Sequence, residues 1–347
     1  MSSSYQAIKQ GGPLEVTVGP KHAPEKDEIL VKNKAIALNP ADYKQLQSGF
    51  RVAKWPATFG FDAAGIVEAV GPEVTRFNVG DEVLSKFSSG DDRTGAFQEF
   101  PIAQSITTAR KPTALSFEDA SSLPVTYLTA ASAIYGELQI PLPKLEGGRK
   151  AGYTPRTVLV GGLGLPALAP ITTNTRDEIK EATILATSSP PHHAHLLRLG
   201  ASQAFDYHSA TLVSDILSAT RTATHSHGGV DAIVDAVNAV LLNPALFDTF
   251  APGPGPPHFA EVGTGRTVKP EDVPAGVVQH LPFSEKVVSD PDGGKSLFSL
   301  LETLLQQGKW AVPVPVERGG TGFEAVGTGL HHLQTKGVSG KKLVVTL

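Results

Sequence analysis

Residues 157–167 read TVLVGGLGLPA, an apolar strand running into glycines. Gly162-Leu163-Gly164-Leu165-Pro166-Ala167 satisfies G-x-G-x-x-A, the spacing that lets backbone approach a dinucleotide pyrophosphate. A phosphate cradle of this kind needs glycines for a tight turn, unpaired N–H groups, and a helix whose N-terminus faces the phosphates. Gly161, Gly162 and Gly164 are therefore candidate cofactor-binding residues. The helix that should follow is poor. Pro166 fits the first helical position but removes one amide N–H. Pro170 falls about one turn in, where a proline costs about 3 kcal/mol. Ile171-Thr172-Thr173-Asn174-Thr175 adds weak helix formers, so the spacing predicts only a short helix over Thr175–Ala182.

A second piece of chemistry lies at the end of the next strand, TILATSS (Thr183–Ser189). Binders of NAD usually place an acid at this point to hold the ribose hydroxyls. Here the strand ends in Thr187, Ser188 and Ser189. Hydroxyls with nearby basic groups, His192 or His193, suit the 2′-phosphate of NADPH; the Ser–Pro step suits an ordinary helix start equally well. A third candidate is NPADYK (Asn39–Lys44). Taken alone it is a turn after a strand, with Pro40 setting φ, Asp42 capping and Lys44 in solvent.

The elements that must position these residues change character along the chain. The first ~120 residues look like a small β-barrel with tight turns, through EILVKNKAIALN (Glu28–Asn39), Gly60–Val74 and Val79–Phe87. From Ser116, a plausible N-cap with Asp119 three residues on, the spacing predicts a helix through Leu138. Strands and helices then alternate from Thr157 to Gly263, which predicts a parallel sheet covered on both faces. Helices over Ser296–Gln307 and Gly322–Thr335 and a final strand, KKLVVTL, close the chain. The 347 residues include 40% apolar and 18% charged side chains, with a net charge of −4 and no long run of one sign. No nucleic-acid surface is suggested. With no cysteine, disulfides, thiolate zinc sites and a cysteine nucleophile are excluded. Neither a secretory leader nor an apolar run of membrane-spanning length is visible, so a soluble, cytoplasmic protein is expected.

Six phrases, in order, resemble the medium-chain dehydrogenases/reductases in their zinc-free branch. They are LNPADYK, FGFDAAGIVEAVGPEVTRFNVGDEV, GAFQEF, SSLPVTYLTAASAIY, LLRLGASQAFDY and VSGKKLVVTL. The likeness is to quinone oxidoreductases and to the stand-alone enoyl reductases of fungal polyketide pathways. It implies an α/β fold with a GroES-like β-barrel domain (1–123 and 288–347) and an inserted Rossmann domain, a doubly wound parallel sheet (124–287). It also implies that Lys44 and Thr129 polarise a substrate carbonyl and that Asn39 holds a polar group beside the nicotinamide. Thr126 would line the same place. Tyr207 would help enclose a 2′-phosphate, and Val262, Gly263 and Thr264 would bond the carboxamide. The zinc-bearing members carry Gly-His-Glu where this chain has FGFDAAG with Asp62, so no metal is expected.

The implied activity is NADPH-dependent reduction of an activated C=C bond in an enoyl or enone. The substrate would be a small molecule or carrier-bound, with a polyketide synthase as an implied partner and a monomer or homodimer as the assembly. Pro166 and Pro170 depart from the family's apolar helix and leave three readings open. NADPH binds more weakly; or the cofactor is lost and the cleft does non-redox work such as cyclisation, or serves as a non-catalytic partner; or residues 163–181 reflect a sequence error or altered splice.

Overall fold

The computed structural model describes residues 1–138, 157–161, 183–222, 228–251, 255–263, 266–282, 287–288, 293–310 and 312–347. The chain divides into two compact units, Met1–Val125 with Phe298–Leu347, and Thr126–Leu297.

In chain order the first unit opens with β1 (Ser2–Ala7), β2 (Leu14–Gly19) and β3 (Glu28–Ala37), then α1 (Pro40–Ser48). β4 (Ala57–Thr58), β5 (Asp62–Val70), β6 (Glu82–Lys86), β7 (Ile102–Gln104) and β8 (Thr108–Arg110) follow. α2 (Phe117–Ser121) and α3 (Pro124–Ala131) lead into the second unit, where a π-helical turn spans Ser132–Glu137. That unit carries β9 (Thr157–Gly161), β10 (Thr183–Ser188), α4 (His193–Arg198), β11 (Gln203–Asp206), α5 (Leu212–Thr222), β12 (Ala232–Asp235) and α6 (Ala239–Leu242). β13 (His258–Glu261), β14 (Val278–His280) and α7 (Gly293–Gln306) come next, then β15 (Val316–Thr321), α8 (Phe323–Thr335) and β16 (Lys342–Thr346).

The first unit is a barrel-like pair of sheets. One path runs β15-β16-β3-β5-β6-β8 with β7 also on β3, and a smaller sheet runs β2-β1-β4. β3 is buried along most of its ten residues because strands pair with it on both sides. Its pairing with β5 shifts register between Asn33 and Ala35. Gly65 faces this irregularity so closely that a Cβ there would stand 2.2 Å from the Lys32 carbonyl oxygen. Ile29, Ile36, Leu38, Phe59, Phe97, Val326 and Val345 fill the core beneath.

The second unit contains, among the described residues, a six-stranded parallel sheet in the order β11-β10-β9-β12-β13-β14. Numbered from β9, that order is 3-2-1-4-5-6, the doubly wound arrangement of dinucleotide-binding domains. TVLVG of β9 is buried at every position, as a strand covered on both faces requires.

The helix predicted from Ser116 to Leu138 is not continuous. Ser116 caps α2 by accepting the Asp119 N–H at 3.0 Å, but Pro124 lacks an N–H to continue the ladder and begins α3 instead. Of NPADYK, expected as a turn, PADYK is the first part of α1 and Asn39 its N-cap. β14 and β15 were not foreseen.

Candidate active site

α1 starts where a Pro–Asp pair makes a helix N-terminus. Pro40 occupies a first-turn position, where its missing N–H costs nothing. Asp42, at the third position, accepts the backbone N–H of the N-cap residue Asn39 at 2.6 Å. Gly49, at φ 68°, ends the helix in the left-handed conformation. Asp42 and Gln45 turn inward and are buried, while Lys44 is half-buried. Burial pulls the Lys44 ammonium below the ordinary lysine range, because taking it from water disfavours the charged form.

A buried polar cluster lies at the start of α1. The Asn39 side-chain amide donates to Asp62 Oδ2 at 3.0 Å, and its Oδ1 accepts from Lys342 Nζ at 2.5 Å. Lys342 also pairs with Asp62 Oδ2 at 3.1 Å. Asp62 Oδ1 accepts the Val125 N–H, in the first turn of α3, at 2.8 Å. Asp42 and Asp62 are both fully buried. Burial pushes the Asp42 carboxyl up to about 7; the Asn39 amide opposes this, the nearby Asp62 charge adds to it, and Lys342 and the Phe61 amide oppose it less strongly. Asn39 is thus occupied at both ends of its side chain inside the barrel. Asp62, where zinc relatives begin a ligand motif, is held by a lysine, an asparagine and a backbone amide.

On α3, Thr126 and Thr129 are half-buried one turn apart, with Tyr127, Leu128, Ala130 and Ala131 buried beside them. Tyr127 is anchored by its hydroxyl, which donates to the Leu297 carbonyl at 2.8 Å, and burial pushes its phenol far up. The α3 ladder then widens into the π-helical turn at Ser132–Glu137.

In the second unit the remaining candidates among the described residues lie at the carboxyl edge of the parallel sheet, where doubly wound sheets bind nucleotides. The strand order reverses between β9 and β12, and Gly161 lies in register with Asp235 across that switch point. The Asp235 carboxylate accepts the N–H groups of Val237, Ala239 and Val240 at 2.9–3.0 Å and so holds the turn into α6. One strand further, the buried Glu261 accepts the Val268 N–H, at 2.9 Å on its shorter contact. Val262 donates its own N–H to the Asp235 carbonyl at 2.8 Å. Gly263 follows it; Thr264, Gly162, Gly164, Pro166 and Pro170 lie outside the described residues.

At the end of β10, Ser188 is buried and Ser189 half-buried at the start of the 3-10 turn Pro190–His192. His193 touches the strand end, its Nε2 standing 3.0 Å from the Ser188 carbonyl. Tyr207 is 41% exposed just beyond β11, its ring 4.1 Å from that of His208. Asp206, in register with Ser188, was not singled out; its Oδ1 accepts the His208 N–H at 3.0 Å. β10 itself ends in hydroxyls, with imidazoles nearby and no carboxylate on the strand. Among the described residues no group of three His, Cys, Asp or Glu side chains converges as a metal site. No helix among them is long and apolar enough to cross a membrane.

Sequence reasoning named Asp42 as a cap, and the structure shows it capping α1, but it missed Asp235, Glu261 and Lys342 as positioning groups. An acid at a strand end before a helix is a local signal that could have found Asp235.

Residues 25–112 match the alcohol dehydrogenase GroES-like domain. The chain is 30% identical to the zinc-binding alcohol dehydrogenase domain-containing protein cipB of Emericella nidulans, covering 96% of this chain and 94% of that one. It is 31% identical to the trans-enoyl reductase tndF of Aspergillus flavipes over the whole of both chains. A mycobacterial protein solved in complex with NADPH superposes with a TM-score of 0.74 at 22% identity over the whole of both chains. The barrel with its inserted 3-2-1-4-5-6 sheet and these full-length relatives lead to one conclusion: the chain belongs to the medium-chain dehydrogenase/reductase family of oxidoreductases.

Proposed function

We propose that this protein is an enoyl reductase that uses NADPH to saturate the C=C bond of an α,β-unsaturated carbonyl compound. The observation that carries the reading is Lys44. A half-buried ammonium with a depressed pKa is a stronger partner for developing negative charge than one in water. Full-length relatives named trans-enoyl reductases support the reaction class.

NADPH, when bound, supplies the hydride that reaches the β-carbon. Electron density then moves to the carbonyl oxygen, and the Lys44 ammonium stabilises the enolate that forms. The family resemblance would give the Thr129 hydroxyl a similar role, as a donor to a substrate carbonyl. A proton from solvent or a hydroxyl goes to the α-carbon, which leaves a saturated carbonyl compound and NADP⁺. Ser188, Ser189, His192 or His193 and Tyr207 would hold the 2′-phosphate. Gly161 with the glycines that follow it would receive the pyrophosphate, and Val262 with Gly263 the carboxamide. The substrate class is an enoyl thioester or enone, and the partner is a synthase that makes it.

The test mixes the full chain with NADPH and a short 2-enoyl thioester, such as an N-acetylcysteamine ester. Loss of absorbance at the reduced-nicotinamide band and appearance of the saturated thioester by mass spectrometry are expected. Neither product nor nucleotide oxidation at millimolar NADPH would overturn the assignment.

A further inference from the structure

Lys342 is the first residue of the last strand, 280 residues from Asp62 and 303 from Asn39, yet its ammonium bonds both. It is 9% exposed. The contacts form a closed triangle: Lys342 to Asn39, Lys342 to Asp62, and Asn39 to Asp62. One corner, Asn39, is the N-cap of α1, five residues before Lys44. The carboxylate corner, Asp62, also receives the Val125 N–H in the first turn of α3.

An N-cap asparagine commonly turns its side chain onto its own helix. Here Asn39 also bonds two groups on other strands. The start of α1 is therefore fixed from β5 and β16. A buried ammonium bonded in this way has little rotational freedom, so a change at position 342 must be felt at Asn39.

We infer that Lys342 is a positioning residue for Lys44: through Asn39 and Asp62 its ammonium sets where α1 begins, and so where the Lys44 side chain stands. This rests on the reading above that Lys44 acts on the substrate carbonyl. The alternative is that Lys342 only neutralises Asp62 and stabilises the barrel. The two differ at temperatures where every variant is folded. A side chain misplaced by about 1 Å loses up to about a hundredfold in rate, whereas a purely stabilising contact leaves the rate unchanged.

The test compares the full chain with Lys342→Met and Lys342→Arg, each confirmed folded by circular dichroism. If Lys342→Met alone does not fold, Lys342→Met/Asp62→Asn takes its place, since it leaves no unpaired carboxylate buried. Two readouts are used. The first is kcat and KM for the enoyl thioester, with the Kd for NADPH measured separately. A fall in kcat of about ten- to a hundredfold with the NADPH Kd within about twofold is expected. Lys342→Arg, which keeps the cation, should recover part of the loss.

The second readout needs no turnover. Competitive acetylation with acetic anhydride across pH, read by mass spectrometry of the Lys44 peptide, reports the basicity of Lys44 directly. Lys44 should label as a lysine of lowered pKa in the parent and move toward the profile of an exposed lysine in Lys342→Met. A folded Lys342→Met variant with parental kcat and a parental Lys44 profile overturns the inference. If the parent reduces no enoyl thioester, the function assigned to Lys44 falls. The acetylation profile then still decides whether Lys342 controls it.

Discussion

Lys342 Nζ and Asp62 Oδ2 stand 3.1 Å apart, and the carboxylate has no exposure to solvent. Removing one member of such a pair leaves a buried charge without compensation, which costs about 3–5 kcal/mol. Lys342→Met should therefore shift the urea midpoint sharply downward. Lys342→Met/Asp62→Asn should recover most of that loss, because the second change removes the stranded charge. A double-mutant cycle in urea measures the coupling. Additive losses would mean that the pair contributes nothing beyond its separate contacts.

Asp42 gives the same cluster a pH dependence. Its carboxyl is pushed up from an ordinary 3.8 to about 7, chiefly by burial. Between those values the native state holds a proton that the unfolded chain has released. By linkage, the Asp42 contribution to stability falls as pH rises through that window and levels off above about 7. Asp42→Asn keeps an oxygen to accept the Asn39 N–H and removes the titration. Thermal melts of parent and variant should be similar near pH 4 and diverge toward pH 8, with the variant the more stable. A constant difference across that range would show that Asp42 is ionised throughout.

How much of this was legible in the sequence follows from the range of the forces involved. The parallel sheet was readable because β9, β10 and β12 are short apolar runs spaced by helix-like segments. The Ser116 cap was readable because its partner, Asp119, is three residues away. α1 was legible in principle, since Asn-Pro-Ala-Asp places a proline and an acid at the positions a helix start uses, but the same letters also describe a turn. The Asn39–Asp62–Lys342 triangle was not legible. Its closing contacts span 280 and 303 residues, and no local propensity reports a lysine's partner at that distance. The family resemblance drew attention to Asn39 and Lys44 but not to Lys342.

Cofactor choice should follow the end of β10. Ser189 is half-buried at the strand end, where dinucleotide-binding sheets set their preference for the ribose. An added carboxylate there would meet the 2′-phosphate with like charge and the 2′-hydroxyl with a hydrogen bond. Ser189→Asp should weaken NADPH by on the order of tenfold, about 1.4 kcal/mol, and leave NADH unchanged or improved. Thermal shift checks this directly: a ligand at 100 times its Kd stabilises the fold by about 2.7 kcal/mol. Equal shifts with NADPH and NADH in the parent would remove the basis for the NADPH assignment.

Lys44 carries a kinetic prediction whose sign its burial fixes. Its ammonium is the form that stabilises an enolate, and burial has lowered its pKa below the ordinary 10.5. The sign follows: kcat should be level near neutral pH and fall as pH rises through the lowered value, in a limb that begins below 10.5. Lys44→Arg should move that limb out of range, because a guanidinium stays charged. Lys44→Met should lose about 10²–10³ in kcat, the usual scale for one donor to a developing oxyanion. A folded Lys44→Met protein that still turns over at the parental rate would leave the carbonyl without its cation.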